Sequence, residues 1–110
     1  MKLSEKKCAP CEGGVPPLQG ETLKKCHEEL KNGWEVIGQS KIKKEFNFRN
    51  FREAVVFVNK VAAVAEHERH HPDILILYSR VIIELWTHAI RGLSENDFIL
   101  AAKIDELVPR

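Results

Sequence analysis

One long helix, bounded at both ends by local signals, is the strongest constraint on how this chain can fold. Asn50 and Glu53 have the spacing of a capping box, in which Asn50 caps the helix and Glu53 reaches back to its start. Apolar side chains then recur at helical spacing for about five turns. Pro72 ends the pattern, because the residue before a proline is pushed out of the helical region. The helix is therefore predicted to end near His70. Its expected core-facing residues are Phe51, Ala54, Val55, Val58, Ala62 and Ala65.

Shorter segments on either side of this helix predict an α+β fold. A second capping box, from Ser94 to Asp97, opens a final helix. The order helix, two strands, helix, two strands, helix is satisfied by a four-stranded antiparallel sheet with helices packed on one face. The predicted elements are a helix over 21–31, strands over 34–37, 42–48, 74–78 and 81–88, and a last helix extending to residue 107.

The last predicted strand alternates between two faces. One face carries Val81, Ile83, Leu85 and Thr87, and the other carries Ile82, Glu84, Trp86 and His88. Both faces contain apolar residues, which is more than a sheet covered on one side requires. We therefore expect the outer face or an edge of the sheet to be buried between subunits, which predicts a homo-oligomer.

The charge balance limits the classes of partner. The chain has 110 residues, of which 17 are basic and 16 acidic, so neither nucleic acid nor an anionic membrane is an expected partner. A chain of this length corresponds to one domain. We divide it into a flexible leader over 1–19 and a single domain over 20–110. The sequence shows no apolar signal segment and no membrane-spanning run, so we expect a cytoplasmic protein.

Three cysteines leave two interpretations open. Cys8 and Cys11 have the spacing of a redox pair or of half a zinc site, for which Cys26 and His27 are the nearest further ligands. The simpler interpretation is that all three are reduced thiols without a metal. We predict no metal and no cofactor.

A zinc-protease motif is present in form only. His67 and Glu68 followed by His71 match the His-Glu-x-x-His pattern, in which both histidines lie on one helical face. Pro72 biases the backbone of His71 toward an extended conformation, so the two rings are not expected to share a face. We reject this interpretation.

Three other histidines point to acid–base chemistry. His70 and His71 lie where the long helix ends, and His88 lies at the end of a predicted strand. Imidazole has an unperturbed pKa of ~6.5, so it gives or takes a proton near neutral pH. Side chains at the ends of elements can converge on one cleft, which makes these three residues candidates for catalysis.

The wider spacing resembles the signature of a known family. The chain reads Glu66-x3-His70-His71-Pro72-x8-Val81-x5-Thr87-His88-x4-Leu93-x3-Asp97. This pattern is similar to that of the pterin-4a-carbinolamine dehydratases. The aromatic stretch over 46–54 and Trp34 resemble the family's entry to its long helix and its first strand. The leader Cys-x-x-Cys-Glu-Gly-Gly-Val-Pro-Pro-Leu resembles the bacterial and plastid branch.

The resemblance implies a fold and an activity. Members have an antiparallel four-stranded sheet with helices on one face and assemble as dimers or tetramers. As hydro-lyases they remove water from 4a-hydroxytetrahydropterin to give quinonoid dihydropterin, which recycles the cofactor of aromatic amino-acid hydroxylases. Neither a metal nor an organic cofactor is required. Animal relatives also bind a homeodomain transcription factor as a dimerisation cofactor.

The resemblance also implies that His70, His71 and His88 line the pterin pocket. Dehydration at carbon 4a needs an acid for the departing hydroxyl and a base for the N5 proton. We predict that His70 and His88 move protons and that His71 binds or orients the pterin, although His70 and His71 could be exchanged.

Four neighbouring residues are candidates for substrate-binding or supporting roles: Glu66, Asp97, Thr87 and Trp86. Glu66 lies four residues before His70, so it is expected either to accept a hydrogen bond from that ring or to form a solvated helix pair. Asp97 either caps the last helix or contacts the ligand. Trp86 either shelters the pocket or packs between subunits.

Two other functions stay open on the sequence. A dehydratase-like fold could serve as a non-catalytic scaffold that binds a protein partner. The same pocket could instead handle another pterin, such as a molybdopterin or folate intermediate.

Overall fold

The computed structural model describes residues 2–9, 16–30 and 33–108. These residues form three helices and four strands, together with two short 3-10 turns, Leu3–Glu5 and His88–Ile90. The helices are α1 (Gly20–Glu28), α2 (Phe51–Glu68) and α3 (Glu95–Asp105), and the strands are β1 (Glu35–Ile37), β2 (Lys41–Asn47), β3 (Asp73–Leu77) and β4 (Arg80–Leu85).

The four strands form one antiparallel sheet in the order β1-β2-β4-β3. Strand β4 lies in the interior, where Val81 is opposite Phe46 of β2 and Ile76 of β3. The predicted α+β fold with a four-stranded antiparallel sheet is confirmed.

Strand β4 supplies the centre of the core. Val81, Ile83 and Leu85 are fully buried, whereas Ile82 and Glu84 between them are only partly buried. This alternation is the one predicted, and it places one face of the strand in the core. Helix α3 covers the core with Phe98, Ile99, Leu100 and Ile104.

Helix α2 begins at the predicted residue, although Glu53 accepts from the Arg49 N–H instead of the Asn50 N–H, and its buried face is rotated relative to the predicted one. Asn50 caps it by accepting a hydrogen bond from the Glu53 N–H at 2.9 Å. The predicted stripe was wrong in part, because Phe51 is 52% exposed whereas Phe57 is 2% exposed. The buried residues are Ala54, Phe57, Val61 and Ala65.

Aromatic packing explains which face of α2 is buried. The ring of Phe57 lies 4.8 Å from that of Phe46 and 5.0 Å from that of Phe48, measured between centroids. Apolar residues occur on both candidate faces of the helix, so its periodicity alone did not decide between them. The rings of Phe46 in β2 and of Phe48 directly after it favour the face that carries Phe57.

Two element ends near the three histidines differ from the prediction. Helix α2 stops at Glu68 because Arg69 adopts a left-handed conformation with φ of 55°. Strand β4 stops at Leu85, since Thr87 leaves the sheet and pairs with Gly92. His88 therefore opens a 3-10 turn instead of ending a strand.

The first residues of the expected flexible leader are packed. Leu3 is buried in the core cluster, and Lys103 of α3 donates a hydrogen bond to the Ser4 carbonyl at 2.9 Å. This packing was not predicted, because one buried leucine and one contact to a backbone carbonyl leave no periodic pattern in the sequence. Residues 10–15 of that leader, which include Cys11, lie outside the described residues. Within the ranges described, no helix has the length and apolar character needed to cross a membrane.

Candidate active site

The three predicted histidines lie around one cavity. This cavity has a volume of about 460 Å³, and His70, His71 and His88 all line it. They reach it from the segment after α2 and from the turn after β4. The other lining residues are Cys8, Ala9, Glu68, Arg69, Trp86, Thr87, Ala89 and Asn96.

A buried carboxylate holds His70. Its Nε2 atom lies 2.6 Å from Oδ1 of Asp97, and Asp97 is fully buried. The second carboxylate oxygen accepts hydrogen bonds from the Thr87 hydroxyl at 2.8 Å and from the Ser94 N–H at 2.9 Å. An ionised carboxylate only accepts hydrogen bonds, so with Asp97 in that form the His70 Nε2 is the donor of this pair.

The capping role predicted for Asp97 is present in the structure. The capping box of α3 is complete, and Asp97 is not among the residues that line the cavity. Its side chain also contacts His70. Thr87 acts in the same network, since its hydroxyl contacts both Asp97 and Ser94.

Glu66 pairs with the other histidine of the motif. Its Oε2 atom lies 3.1 Å from Nε2 of His71, and both side chains are exposed. The expected contact with His70 was wrong because the left-handed turn at Arg69 takes His70 out of the helix. The four-residue spacing then no longer brings the two side chains together.

His88 stacks on an indole. The rings of Trp86 and His88 have centroids 4.0 Å apart and an angle of 33° between their planes. Trp86 Nε1 donates a hydrogen bond to Oδ2 of Asp73 at 3.2 Å. Trp86 thus forms part of the cavity wall and limits where the His88 ring can lie.

Glu68 is a cavity residue that the sequence did not reveal as one. Its Oε1 atom accepts a hydrogen bond from the Cys8 N–H at 2.8 Å, and Lys103 Nζ lies 3.8 Å from its Oε2 atom. Burial alone would raise the pKa of Glu68, but the Cys8 N–H, His67 and Lys103 together hold that pKa below its ordinary value. In the sequence, Glu68 stood out only as a member of the rejected zinc-protease motif.

The other residues of that zinc motif lie apart. His67 is exposed and lines a different cavity, beside Ala63 and Lys103, whereas His71 lines the cavity with His70. Over residues 2–9, 16–30 and 33–108, no three His, Cys, Asp or Glu side chains form a group able to hold a metal.

Burial suppresses the reactivity of the Cys8 thiol. Burial, followed by the charge of Glu68, raises the pKa of Cys8 to about 12. The thiolate is the nucleophile and the metal ligand, so this side chain is a poor candidate for either role. Burial also raises the pKa of Cys26. The proposed partner of Cys8 in a redox pair, Cys11, lies outside the described residues.

Comparison with known proteins identifies the family to which this chain belongs. The family model described as Pterin 4 alpha carbinolamine dehydratase matches residues 16–107. A protein of Rubrobacter xylanophilus is 51% identical over 106 residues, covering 96% of this chain and 98% of that protein. One from Rickettsia bellii is 52% identical over 105 residues, covering 96% and 93%. Both are named "Putative pterin-4-alpha-carbinolamine dehydratase".

Two solved structures share the fold. A transcriptional coactivator/pterin dehydratase from Brucella melitensis has a TM-score of 0.78 and 30% identity, covering 83% of this chain and 97% of its own. A pterin dehydratase-like protein, identified as a RuBisCO assembly factor in the alpha-carboxysome, has a TM-score of 0.60 and 26% identity, covering 69% and 89%. The family model spans the three histidines and Asp97, and the relatives match over nearly the whole chain. The chain therefore belongs to the pterin-4-alpha-carbinolamine dehydratase family.

Proposed function

We propose that this chain is a hydro-lyase that removes water from 4a-hydroxytetrahydropterin to give quinonoid dihydropterin. The observation that carries the proposal is the convergence of His70, His71 and His88 on one cavity, with His70 held by a buried carboxylate. The cavity volume of about 460 Å³ falls within the usual range of small-molecule sites. Membership of the family supports the substrate class.

His70 is the proposed base. With its Nε2 proton directed at Asp97, the neutral ring has Nδ1 free to accept a proton. In the reaction this nitrogen takes the N5 proton of the pterin. The imidazolium that forms is stabilised by the Asp97 carboxylate 2.6 Å away, because opposite charges attract strongly at a site with little water.

His88 is the proposed acid. Its protonated ring donates a proton to the hydroxyl on carbon 4a, which leaves as water. The C–O bond breaks with its electron pair going to oxygen, while the electrons of the N5–H bond form the double bond between N5 and carbon 4a. In each turnover His88 loses one proton and His70 gains one. Proton exchange of both rings with water then returns them to their starting protonation states.

His71 is proposed to bind and orient the pterin. Its pairing with Glu66 is exposed, so this ring is held less firmly than that of His70. Such a residue is suited to contacting a ligand that enters from solvent. Its position directly beside His70 places the contact next to the reacting atoms.

The direct test is a dehydration assay. An aromatic amino-acid hydroxylase generates 4a-hydroxytetrahydropterin in situ, and its decay is followed by absorbance with and without the protein. Wild type should accelerate the decay, and the His70→Ala and His88→Ala variants should not. His27→Gln is the matched control, because His27 lines a different cavity and contacts the Trp34 carbonyl. A folded wild-type protein that gives no acceleration would contradict the proposal.

Recycling of a hydroxylase cofactor is the proposed physiological role, with a cytoplasmic location. A hydroxylase gene beside this one would support that role. If other pterins, such as a molybdopterin or folate intermediate, are turned over faster in the same assay, the substrate assignment changes while the chemistry stays the same.

We also propose that the chain forms a homodimer or homotetramer. Strand β3 lies at an edge of the sheet and exposes Leu75 and Leu77, of which Leu75 is 52% exposed, and Tyr78 in the turn after it is also exposed. Apolar side chains on a free edge favour pairing with a second chain.

A protein-binding scaffold is the second candidate function. The same exposed residues favour it. Of the two similar solved structures, one is a transcriptional coactivator/pterin dehydratase and the other a RuBisCO assembly factor, which supports this alternative. A folded protein with wild-type histidines and no dehydratase activity would favour this alternative.

A further inference from the structure

The N-terminal strap, residues 2–9, runs along α3 from Lys103 to Glu95 and reaches the cavity at the start of that helix. Leu3 anchors one end in the core, and Lys103 donates a hydrogen bond to the Ser4 carbonyl at 2.9 Å. At the other end Cys8 and Ala9 line the cavity with the three histidines. The strap is therefore part of the cavity wall although it is distant from the histidine motif in sequence.

Asn96 holds the end of the strap by two hydrogen bonds. The Ala9 N–H donates to Asn96 Oδ1 at 2.9 Å, and Asn96 Nδ2 donates to the Ala9 carbonyl at 2.6 Å. Together they satisfy both backbone groups of Ala9, as a neighbouring strand would. Asn96 is itself 8% exposed. A side chain so buried and so paired fixes both the position and the orientation of Ala9.

Glu68 holds the strap from the opposite side. It accepts the Cys8 N–H at 2.8 Å, and its side chain is 5% exposed. Glu68 is the last residue of α2, close to His70, whereas Asn96 is adjacent to Asp97 in α3. The strap is thus tied to both helix ends that position the His70–Asp97 pair.

We propose that the N-terminal strap forms one wall of the pterin site and that Asn96 and Glu68 are the positioning residues that hold it against the bound ligand. This inference rests on the proposed function. Of the strap, only Cys8 and Ala9 line the cavity, and burial raises the pKa of the Cys8 thiol, which makes it a poor base or nucleophile. Its contribution is to binding, through contact with the ligand and exclusion of water.

Kinetics of Asn96 variants test the proposal. Asn96→Asp keeps an acceptor for the Ala9 N–H but removes the donor to the Ala9 carbonyl, and an acidic residue in the first turn suits the helix dipole. It should fold normally and raise KM by about tenfold, with kcat within about threefold of wild type. Asn96→Ala should act in the same direction. Lys6→Ala is the matched control, because it changes only a surface ion pair of the strap with Glu95 and should leave KM unchanged.

A second readout does not depend on turnover. With Cys11→Ser and Cys26→Ala in the background, Cys8 is the only thiol of the chain. Because burial raises the pKa of Cys8, its slow alkylation by iodoacetamide is measured at alkaline pH, with and without a 7,8-dihydropterin whose binding is followed separately by fluorescence. Bound dihydropterin should slow the alkylation, and Asn96→Asp should speed the alkylation and weaken dihydropterin binding.

The outcomes separate this inference from the proposed function. Suppose that dihydropterin binds the protein whose only thiol is Cys8, but does not slow the alkylation of Cys8 and binds the Asn96→Asp variant equally well. The strap is then not part of the site, and only this inference fails. If the parent protein binds no dihydropterin and dehydrates no pterin, both fail. Slower hydrogen exchange at Ala9 in wild type than in Asn96→Asp would show that the variant releases the strap.

Discussion

The imidazole of His70 and the carboxylate of Asp97 lie 2.6 Å apart where the end of α2 meets the start of α3. One carboxylate oxygen faces the ring, and the other closes the capping box through Ser94. A single side chain therefore serves both the start of a helix and the orientation of a proposed catalytic base.

Replacing Asp97 should separate these two roles. Asp97→Asn can still accept from Ser94 and Thr87, but an amide in place of the carboxylate neither fixes the His70 proton nor stabilises the imidazolium. We expect kcat to fall by about 10²-fold with little change in KM. Steady-state kinetics checks this, and thermal unfolding checks that the variant is folded. A folded variant with wild-type kcat would remove Asp97 from the mechanism.

His70 and His71 should respond differently to alanine substitution. His70→Ala should lower kcat by about 10²–10⁴-fold, whereas His71→Ala should mainly raise KM. Glu66→Gln should have a small effect, because its contact with His71 is exposed and such pairs contribute ~0–1 kcal/mol. The reverse pattern, with KM rising only in His70→Ala, would exchange the two assignments.

Phenylalanines on the two faces of α2 should differ in their effect on stability. Phe57→Ala removes a buried ring between Phe46 and Phe48 and should cost ~3–5 kcal/mol of unfolding free energy. Phe51→Ala, on the exposed side, should change it by within about 0.5 kcal/mol. Urea denaturation measures both. Equal losses would mean that both faces of the helix are buried in solution.

The charge of Glu68 should make stability depend on pH. Its pKa is lowered in the folded protein, so the ionised form stabilises the fold. That contribution is complete above the unfolded-state pKa of ~4.3 and is lost as the pH falls through the lower folded-state value. Wild type should therefore lose more stability than Glu68→Gln on acidification below about pH 5. Parallel curves for the two proteins in urea titrations at several pH values would contradict this expectation.

The apolar edge of the sheet should control assembly. Leu75→Glu combined with Leu77→Glu places charge on exposed positions of β3 and should give the mass of one chain by light scattering at micromolar concentration. Wild type should have at least twice that mass. Lys24→Glu, an exposed change on α1, is the control and should assemble as wild type does. A monomeric wild type would contradict the proposed oligomer.

The sequence predicted the fold class because it depends on local signals, whereas the grouping of the three histidines around one pocket was what the family resemblance implied. Capping boxes, alternation in β4 and the proline after His71 are properties of neighbouring residues. The face of α2 was not decided by its own residues, since Phe57 was selected by aromatic rings from the β2 region.

Partners within the site were harder to predict because they depend on contacts across the fold. Glu66 was assigned to His70 by helical spacing, but nothing in the sequence marks Arg69 as left-handed, since arginine rarely adopts this conformation. The contact of Asn96 with Ala9 joins residues at opposite ends of the chain through a backbone group. A hydrogen bond to a backbone group does not depend on the residue type that carries it, so it leaves no recognisable pattern in the sequence.

The first turn of α3 carries two consecutive anchors, Asn96 for the strap and Asp97 for His70. Successive side chains on a helix point about 100° apart, so this single turn sets the angle between two walls of the cavity. Inserting one residue between Ser94 and Asn96 would rotate both anchors together and misalign both walls at once. The geometry of the cavity therefore depends on how α3 is rotated about its own axis.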